Sequence, residues 1–446
     1  MTSRALHVIA GRAFRSGITV EEEAAISPEK RKPLREVGRG PTVATSAERM
    51  TDFLIVGGGI IGVALALELR RIYPTTRITL LEKEESCGEH ASGRNSGVLH
   101  AGFYYSADSL KARFTREGNL QLTQYCVDRK LPINRCGKLV VAQCARDLDG
   151  LEELLRRGRA NRVPLEMITA EEARRIEPRV KTYERALFSP STSSVDPTAV
   201  MRALVSDARG AGIDIRTGTT YLGRRRDGVR TSAGDVAAGY VVNAAGLYAD
   251  RIARDFGFSD RYCILPFKGL YLYAEASAPT LRTHIYPVPN LGNPFLGVHF
   301  TLTVAGAIKI GPTATPAFWR EHYGGLRGFR LAECVSIVSR EADLFLRNDF
   351  GSRRLAITEL QKYHRGRLVQ LASAMAAGVR REDFRQWGRP GIRAQLFDLK
   401  SRRLEMDFKF EGDDRSFHVL NAVSPAFTCS LPIARHLTSH IVQRVG

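Results

Sequence analysis

The sequence predicts an α/β fold in which a parallel βαβ unit at the start of the folded chain is joined to a second part rich in antiparallel strand. Three observations predict it. The segment TDFLIVGGGIIGVALALELRR (51–71) sets a short apolar strand, a glycine run and a helix-forming stretch in that order. Far downstream, AAGYVVNAAG (237–246) is a buried strand running into small residues. In FLGVHFTLTVAGAIKIGP (295–312), Phe300, Leu302 and Val304 alternate with Thr301 and Thr303, the period of a half-buried strand. At 446 residues the chain exceeds one simple core, so two domains, or one with a large insertion, are expected.

The elements follow in order. Phe53–Val56 is a strand. Gly57, Gly59 and Gly62 form G-x-G-x-x-G around Ile60 and Ile61, and Val63 to Arg71 has helical composition. RITLLE (77–82) is a second strand ending at Glu82, followed by Lys83. Each position has a physical reason. Gly57 permits a tight turn, Gly59 lets backbone approach a pyrophosphate, and Gly62 lets helix pack on strand, with the helix N-terminus facing negative charge. Glu82 is placed to accept from ribose hydroxyls, which argues for an unphosphorylated ribose, so NAD or FAD rather than NADP. Next comes ASGRNSGVLHAGFYY (91–105), too rich in glycine for a helix and too mixed for a strand. A helix is expected from Ser109 to about Lys130, and a strand at CGKLVVAQ (136–143). Tyr240–Asn243 is a strand leading into Ala244, Ala245 and Gly246, and residues 320–380 read as mainly helical.

Composition bounds the function. Formal net charge is +19. Residues 1–50 hold nine Lys/Arg against six Glu, so +16 belongs to the remainder. Such a body attracts anions, whether carboxylate substrates, lipid headgroups or nucleic acid. The basic residues are scattered with no aromatic-interleaved stripe, so nucleic acid is not expected as a partner. The seven cysteines show no zinc-like spacing, no metal is expected, and free thiols of a reducing compartment are. The longest apolar run, Phe53–Leu67, is shorter than the ~18 residues a membrane helix needs. Residues 1–49 stand apart. MTSRALHVIAGRAFRSGITV is weakly like a mitochondrial presequence, and the charged, Pro- and Gly-broken segment after it reads as disordered. The favoured alternative is a native start at Met50.

Beyond these motifs, the chain resembles the L-2-hydroxyglutarate dehydrogenase/oxidase family of the D-amino-acid-oxidase-like flavoproteins. The resemblance runs in order through LIVGGGIIGVALALEL, LEKE, SGRNSGVLHAGFYY, SLKA, CGKLVVA, VVNAAGLYADRIA, ILPFKGLYLY, IYPVPNLGNPFLGVHFT, IGPTATPAFWREHY, GRPGIRAQLFD and HVLNAVSPAFTCSLPIARHL. It implies a discontinuous Rossmann-like FAD domain (51–110, 186–260 and 386–446) and an antiparallel-sheet substrate domain (111–185 and 261–385). It also implies oxidation of a 2-hydroxy dicarboxylic acid by hydride transfer to flavin N5, with oxygen or a membrane quinone as acceptor. The location implied is cytoplasmic, with peripheral association to an anionic membrane, or mitochondrial if the leader is a presequence. Ser92, Gly93, Ser96 and Gly97 would be backbone close to FAD, and Arg94 and Asn95 polar contacts. Pro425 and Thr428, with Ser424 and Ser430, would lie at the helix end facing the flavin's negative edge. One position departs: Arg94 stands where the family carries His. Glycerol-3-phosphate-oxidising relatives carry Arg there, which keeps glycerol-3-phosphate or an amino acid as alternative substrates.

The implied reaction needs cations for carboxylate, a base and a donor for developing negative charge. His100 and His299 are the candidate bases, His100 beside the flavin and His299 on the substrate. Arg393 in GRPGIRAQ is the carboxylate binder, because its planar fork suits bidentate pairing. Lys268 and Tyr105 are further candidates for substrate contact.

Overall fold

A computed structural model describes residues 50–291 and 296–445; the leader lies outside them. The glycine-rich segment forms strand β1 (Thr51–Val56), helix α1 (Ile60–Ile72) and strand β2 (Ile78–Leu81). α1 starts at Ile60, ahead of the helical composition at Val63, because Gly59 is extended (φ −76°, ψ 174°) and Ile60 N–H donates to Ser92 Oγ at 2.9 Å. Helix Leu110–Asp128 is capped by Ser109, whose hydroxyl accepts from Ala112 N–H.

β1 pairs in parallel with β2 on one side and with Gly234–Asn243 on the other. Asp214–Arg216 extends the sheet beyond β2, and Ser416–Asn421 extends it beyond Gly234–Asn243. Five parallel strands thus come from distant parts of the chain. β1 and β2 are almost wholly buried and read as continuous apolar runs, as strands covered on both faces do. The strand expected at Tyr240–Asn243 begins at Gly234, because its polar first half pairs antiparallel with Gly228–Thr231 while its second half joins β1. The chain order reverses at β1, so the crevice beyond its C-terminal end is where such sheets bind ligands.

An eight-stranded second sheet runs Phe384–Trp387, Leu272–Ala274, Ile308–Gly311, His299–Leu302, His284–Pro287, Lys138–Val141, Arg185–Ser189 and Glu166–Thr169. Its pairs are antiparallel except His284–Pro287 with Lys138–Val141. Leu139, Ile285, Phe300 and Ile310 pack there with Leu368 and Val369 of helix Arg365–Ser373. A third sheet is built on Tyr262–Gly269 antiparallel to Gly391–Asp398, in a register that sets Phe267 opposite Arg393. Within 320–380 the helices are Leu331–Arg347, Ser352–Gln361 and Arg365–Ser373, and residues 324–330 are irregular and exposed. This is the α/β architecture the sequence predicts.

One buried ion pair ties these parts together. Arg320 donates from Nη1 and Nη2 to Asp250 Oδ1 and Oδ2 at 2.7 and 2.9 Å, and Nη1 also reaches Leu247 O. Asp250 is fully buried and its Oδ2 accepts from Ile264 N–H at 3.1 Å. Burial pushes the Asp250 carboxyl up, but the Arg320 charge and its hydrogen bonds outweigh that and hold it below the usual range. The folded-state value is depressed, so this stabilisation is present above the unfolded carboxylate pKa of about 3.9 and lost as pH falls through the lower folded value. Arg320→Met leaves a buried charge unpaired and is expected to cost about 3–5 kcal/mol in urea denaturation. Asp250→Asn should flatten the acid limb of the stability–pH curve, and an unchanged limb would sink this reading.

Candidate active site

A cavity of about 1000 Å³ opens beyond the end of β1. Its walls come from the β1–α1 turn, residues 82–84, 88–92 and 94–96, the 244–248 turn, Tyr271, Tyr286, His299, residues 391–394 and the 419–428 segment.

The nucleotide side is made by backbone at close quarters. Gly57 has φ +116°, and a Cβ there would lie 2.5 Å from Ala244 O. A Cβ on Gly62 would lie 2.0 Å from Gly57 O, so only glycine lets α1 sit on the turn. Glu82 is buried, lines the cavity and accepts from Gly58 N–H and Glu84 N–H, each at 2.9 Å. Gly57, Gly59, Ile60, Ile61, Glu82, Lys83, Ser92, Arg94, Asn95, Ser96, Ala245, Gly246, Pro425 and Thr428 all line this cavity. Gly62, Gly93 and Gly97 stand behind the lining.

Several of these side chains have internal partners. Ser92 Oγ caps α1. Asn95 Nδ2 donates to Ser92 O at 2.8 Å and its Oδ1 accepts from Gly97 N–H at 2.8 Å, closing its own loop. Thr428 Oγ1 accepts from His100 N–H at 3.2 Å and donates to Val98 O at 3.3 Å. Lys83 pairs with Glu84 and, at 2.8 Å, with Glu321. Arg94 donates from Nε to Glu89 O at 2.7 Å and from Nη1 to Pro390 O at 3.4 Å, with its guanidinium 4.4 Å from the Tyr323 ring centre. Ser430 Oγ is buried and makes no hydrogen bond among the described residues.

His100, His299 and Arg393 meet at the other side of the cavity. Arg393 arrives on strand Gly391–Asp398, and burial lowers its pKa. His299, on strand His299–Leu302, stacks on Tyr286 with ring centres 3.7 Å apart. Its Nδ1 lies 2.8 Å from Gly297 O. A carbonyl only accepts, so Nδ1 carries the proton and Nε2 is left with its lone pair. Burial, foremost, pushes His299 down to about 3, against the Gly297 bond, which acts the other way. His100 is held well below its usual range, first by burial, then by the charges of Lys138, His299, His284 and Arg393. Both imidazoles are neutral at pH 7 and able to accept a proton.

The sequence reading missed part of this wall. Tyr271 and Tyr286 line the cavity. Lys309 donates to Ser96 O at 3.0 Å, and burial lowers it to about 8. Lys138 is fully buried, its Nζ within 4.6–5.0 Å of the ring centres of Tyr286, Tyr104 and Phe103 and without a hydrogen bond among the described residues; burial lowers it to about 7. The available signal was a lone lysine inside each of two apolar strands, KLVV and IKIG. Two proposed substrate contacts are not in the lining. Lys268 is buried on strand Tyr262–Gly269, and Tyr105 lies behind the wall, close enough to feel the Arg393 charge.

The arrangement fits FAD. A glycine turn opens a 13-residue helix, a buried carboxylate ends the next strand, and one continuous cavity runs from them to the histidines and Arg393. Gly57, Gly59 and Glu82 would hold the nucleotide, with the 391–394 and 424–428 backbones beside the ring.

Comparison with known proteins agrees. Residues 52–440 match the family model described as FAD dependent oxidoreductase (DAO). The chain is 34% identical over 404 residues to L-2-hydroxyglutarate dehydrogenase of Escherichia coli K12, covering 88% of this chain and 93% of that one. It is 34% identical over 420 residues to the human mitochondrial L-2-hydroxyglutarate dehydrogenase, covering 88% and 89%. Among solved structures, L-alpha-glycerophosphate oxidase from Mycoplasma pneumoniae with FAD bound has a TM-score of 0.71 at 23% identity, covering 88% of this chain and 95% of that one. Glycine oxidase from Geobacillus kaustophilus has 0.65 at 21% identity, with the same coverage. These two share the fold. The glycine turn, the cavity it opens into and the match over residues 52–440 lead to one conclusion, that this chain belongs to the DAO family of FAD-dependent oxidoreductases.

Proposed function

We propose that this enzyme oxidises L-2-hydroxyglutarate to 2-oxoglutarate. The observation that carries the reading is the convergence of Arg393, His100 and His299 on one side of the cavity. The lining acids Glu82, Glu84, Glu89, Asp255 and Glu321 lie on none of the segments that bear those three. A dianionic substrate meets a desolvated guanidinium there, beside two imidazoles held neutral. The relatives' name supplies the specific acid.

Bound FAD supplies the two-electron acceptor for the C2 hydride. Arg393 holds a carboxylate and so orients C2. His299 Nε2, which can only accept, takes the hydroxyl proton, while Tyr286 fixes the ring by stacking. The His100 ring has no hydrogen-bond partner among the described residues and is left for the substrate oxygen. The alternative substrates rested on Arg94. Its guanidinium is engaged by Glu89 O, Pro390 O and the Tyr323 ring, which supports the hydroxy dicarboxylate. The electron acceptor in this reading is oxygen or a membrane quinone. The location is cytoplasmic with peripheral attachment to an anionic membrane surface, or mitochondrial if residues 1–49 are a presequence. The FAD domain is assigned to 51–110, 186–260 and 386–446, and the substrate domain to 111–185 and 261–385.

Anaerobic mixing tests the substrate: L-2-hydroxyglutarate should bleach the flavin, and its D-enantiomer and glycerol-3-phosphate should not. Bleaching by glycerol-3-phosphate alone would replace the assignment. His299→Asn is expected to slow flavin reduction by about 10²–10⁴-fold in stopped flow, with a smaller loss for His100→Ala. The reverse order would move the proton to His100. Because both imidazoles stay neutral well below pH 6.5, kcat/KM should be level from about pH 5 to 8, and an inflection near 6.5 would contradict it. Arg393→Lys, which keeps the charge but loses the fork, should raise KM by roughly 10–100-fold with less change in kcat.

A further inference from the structure

Helix Leu331–Arg347 is amphipathic the wrong way round for an ordinary surface helix. Its inward face, Glu333, Ile337 and Leu344, is buried, and Leu344 packs on Cys263, Leu265 and Phe397 of the third sheet. Its outward face is apolar as well. Leu331, Val335, Val338, Ala342 and Phe345 follow one another at alternate spacings of four and three, a single stripe along a helix. Leu331 is 68% exposed, Val335 59% and the flanking Leu346 71%. The stripe continues on both sides. Leu326, 77% exposed, and Phe329 precede it, and Phe350, Ile357 and Leu360 follow on and before helix Ser352–Gln361. The two helices are tied by Ser352 Oγ to Leu344 O and Arg353 Nε to Phe345 O, each at 2.7 Å. Isolated exposed leucines are ordinary, but a continuous apolar stripe marks an interaction surface.

The charges around the stripe choose the partner. Its acids are buried or paired. Glu333 accepts from Arg251 at 2.8 Å and Glu359 from Lys362 at 2.5 Å. Asp343 is held by Arg347 and Arg402, at 2.7 and 2.6 Å, and Asp349 by Arg402 at 2.6 Å. Burial pushes Glu341 up to about 8. Arg327, Arg330 and Arg354 are exposed and make no ion pair among the described residues. A second copy of the chain would bring arginines against arginines. An anionic surface would not.

We infer that this face lies on a bilayer carrying anionic headgroups, with the Leu331–Phe345 stripe in the interface and Arg327, Arg330 and Arg354 on the phosphates. Gly328 and Arg330 also line the flavin cavity, so the attached face borders its mouth. The inference deepens the peripheral attachment proposed above and is independent of the substrate.

The test is flotation of the FAD-loaded full chain with vesicles of phosphatidylcholine containing roughly a third phosphatidylglycerol, and with phosphatidylcholine alone. Wild type is expected to float with the anionic vesicles, more weakly in about 0.5 M salt. The triple variant Leu331→Gln, Val335→Gln, Leu346→Gln should partition at least about tenfold less, with an unchanged melting temperature and flavin reduction. Wild type that floats with neither vesicle, or a triple variant that floats like wild type, overturns the inference. So does a dimer in light scattering that the triple variant dissociates. Should the triple variant misfold, Leu346→Trp gives a second readout. Its added emission should shift to the blue with anionic vesicles, and an unshifted emission overturns the inference. Flotation without bleaching by L-2-hydroxyglutarate would sink the substrate reading and leave this one standing.

Discussion

Everything at the site depends on backbone segments meeting where there is no room for a side chain. α1 can sit over the end of β1 only because Gly62 brings no Cβ to the 2.0 Å gap before Gly57 O. The 391–394 strand can reach the same cavity only because Gly391 passes Arg94 O, where a Cβ would stand 2.4 Å away. The first contact aims a helix N-terminus into the crevice; the second delivers Arg393, two residues on, to its far side. Nucleotide site and reaction side are therefore set by one geometric condition applied twice, and a methyl group at either point would force two walls of the cavity apart.

Desolvation then decides what the walls can do. Lys138, Lys309 and Arg393 are cations removed from water near the same cavity, and each has its pKa lowered by burial. The usual compensation for a buried cation is a carboxylate. At Lys138 the compensation is three ring faces instead. The positive field that remains is what a dianionic substrate would neutralise; burial first, and this field second, keep the neighbouring imidazoles unprotonated. Binding an anion and preparing a base are thus linked, since the burial that strips water from the cations also holds the proton acceptors empty, with the cations adding to it.

Much of the nucleotide side was legible in the sequence because its logic is local. Strand, glycine spacing, helix and terminal acid lie within 51–82, and each is dictated by near neighbours. The roles of polar residues in the glycine-rich loop were less legible. Asn95 and Thr428 read as ligand contacts, yet their side chains join one piece of protein to another. A polar side chain beside glycines serves either purpose, and only the fold decides. Lys138 was invisible for a different reason. Its surroundings come from register, with His284 opposite it and Tyr286 two residues along, 148 positions down the chain from Lys138. Tyr286 and His299 likewise meet only through strand pairing.

The helix Leu331–Arg347 shows how far the same limit extends. Its apolar residues keep a helical period, and by the ordinary rule the richer face should point inward. The third sheet takes the opposite face, because Leu344 meets Leu265 and Phe397 while Arg320 and Arg251 hold Glu333 in the joint with Asp250. That buried cluster fixes the helix's rotation, and the rotation turns the leucine stripe outward. The exposed face therefore cannot be withdrawn without unpairing buried charge. The ion pairs that fix this joint also keep the helix's apolar face turned outward.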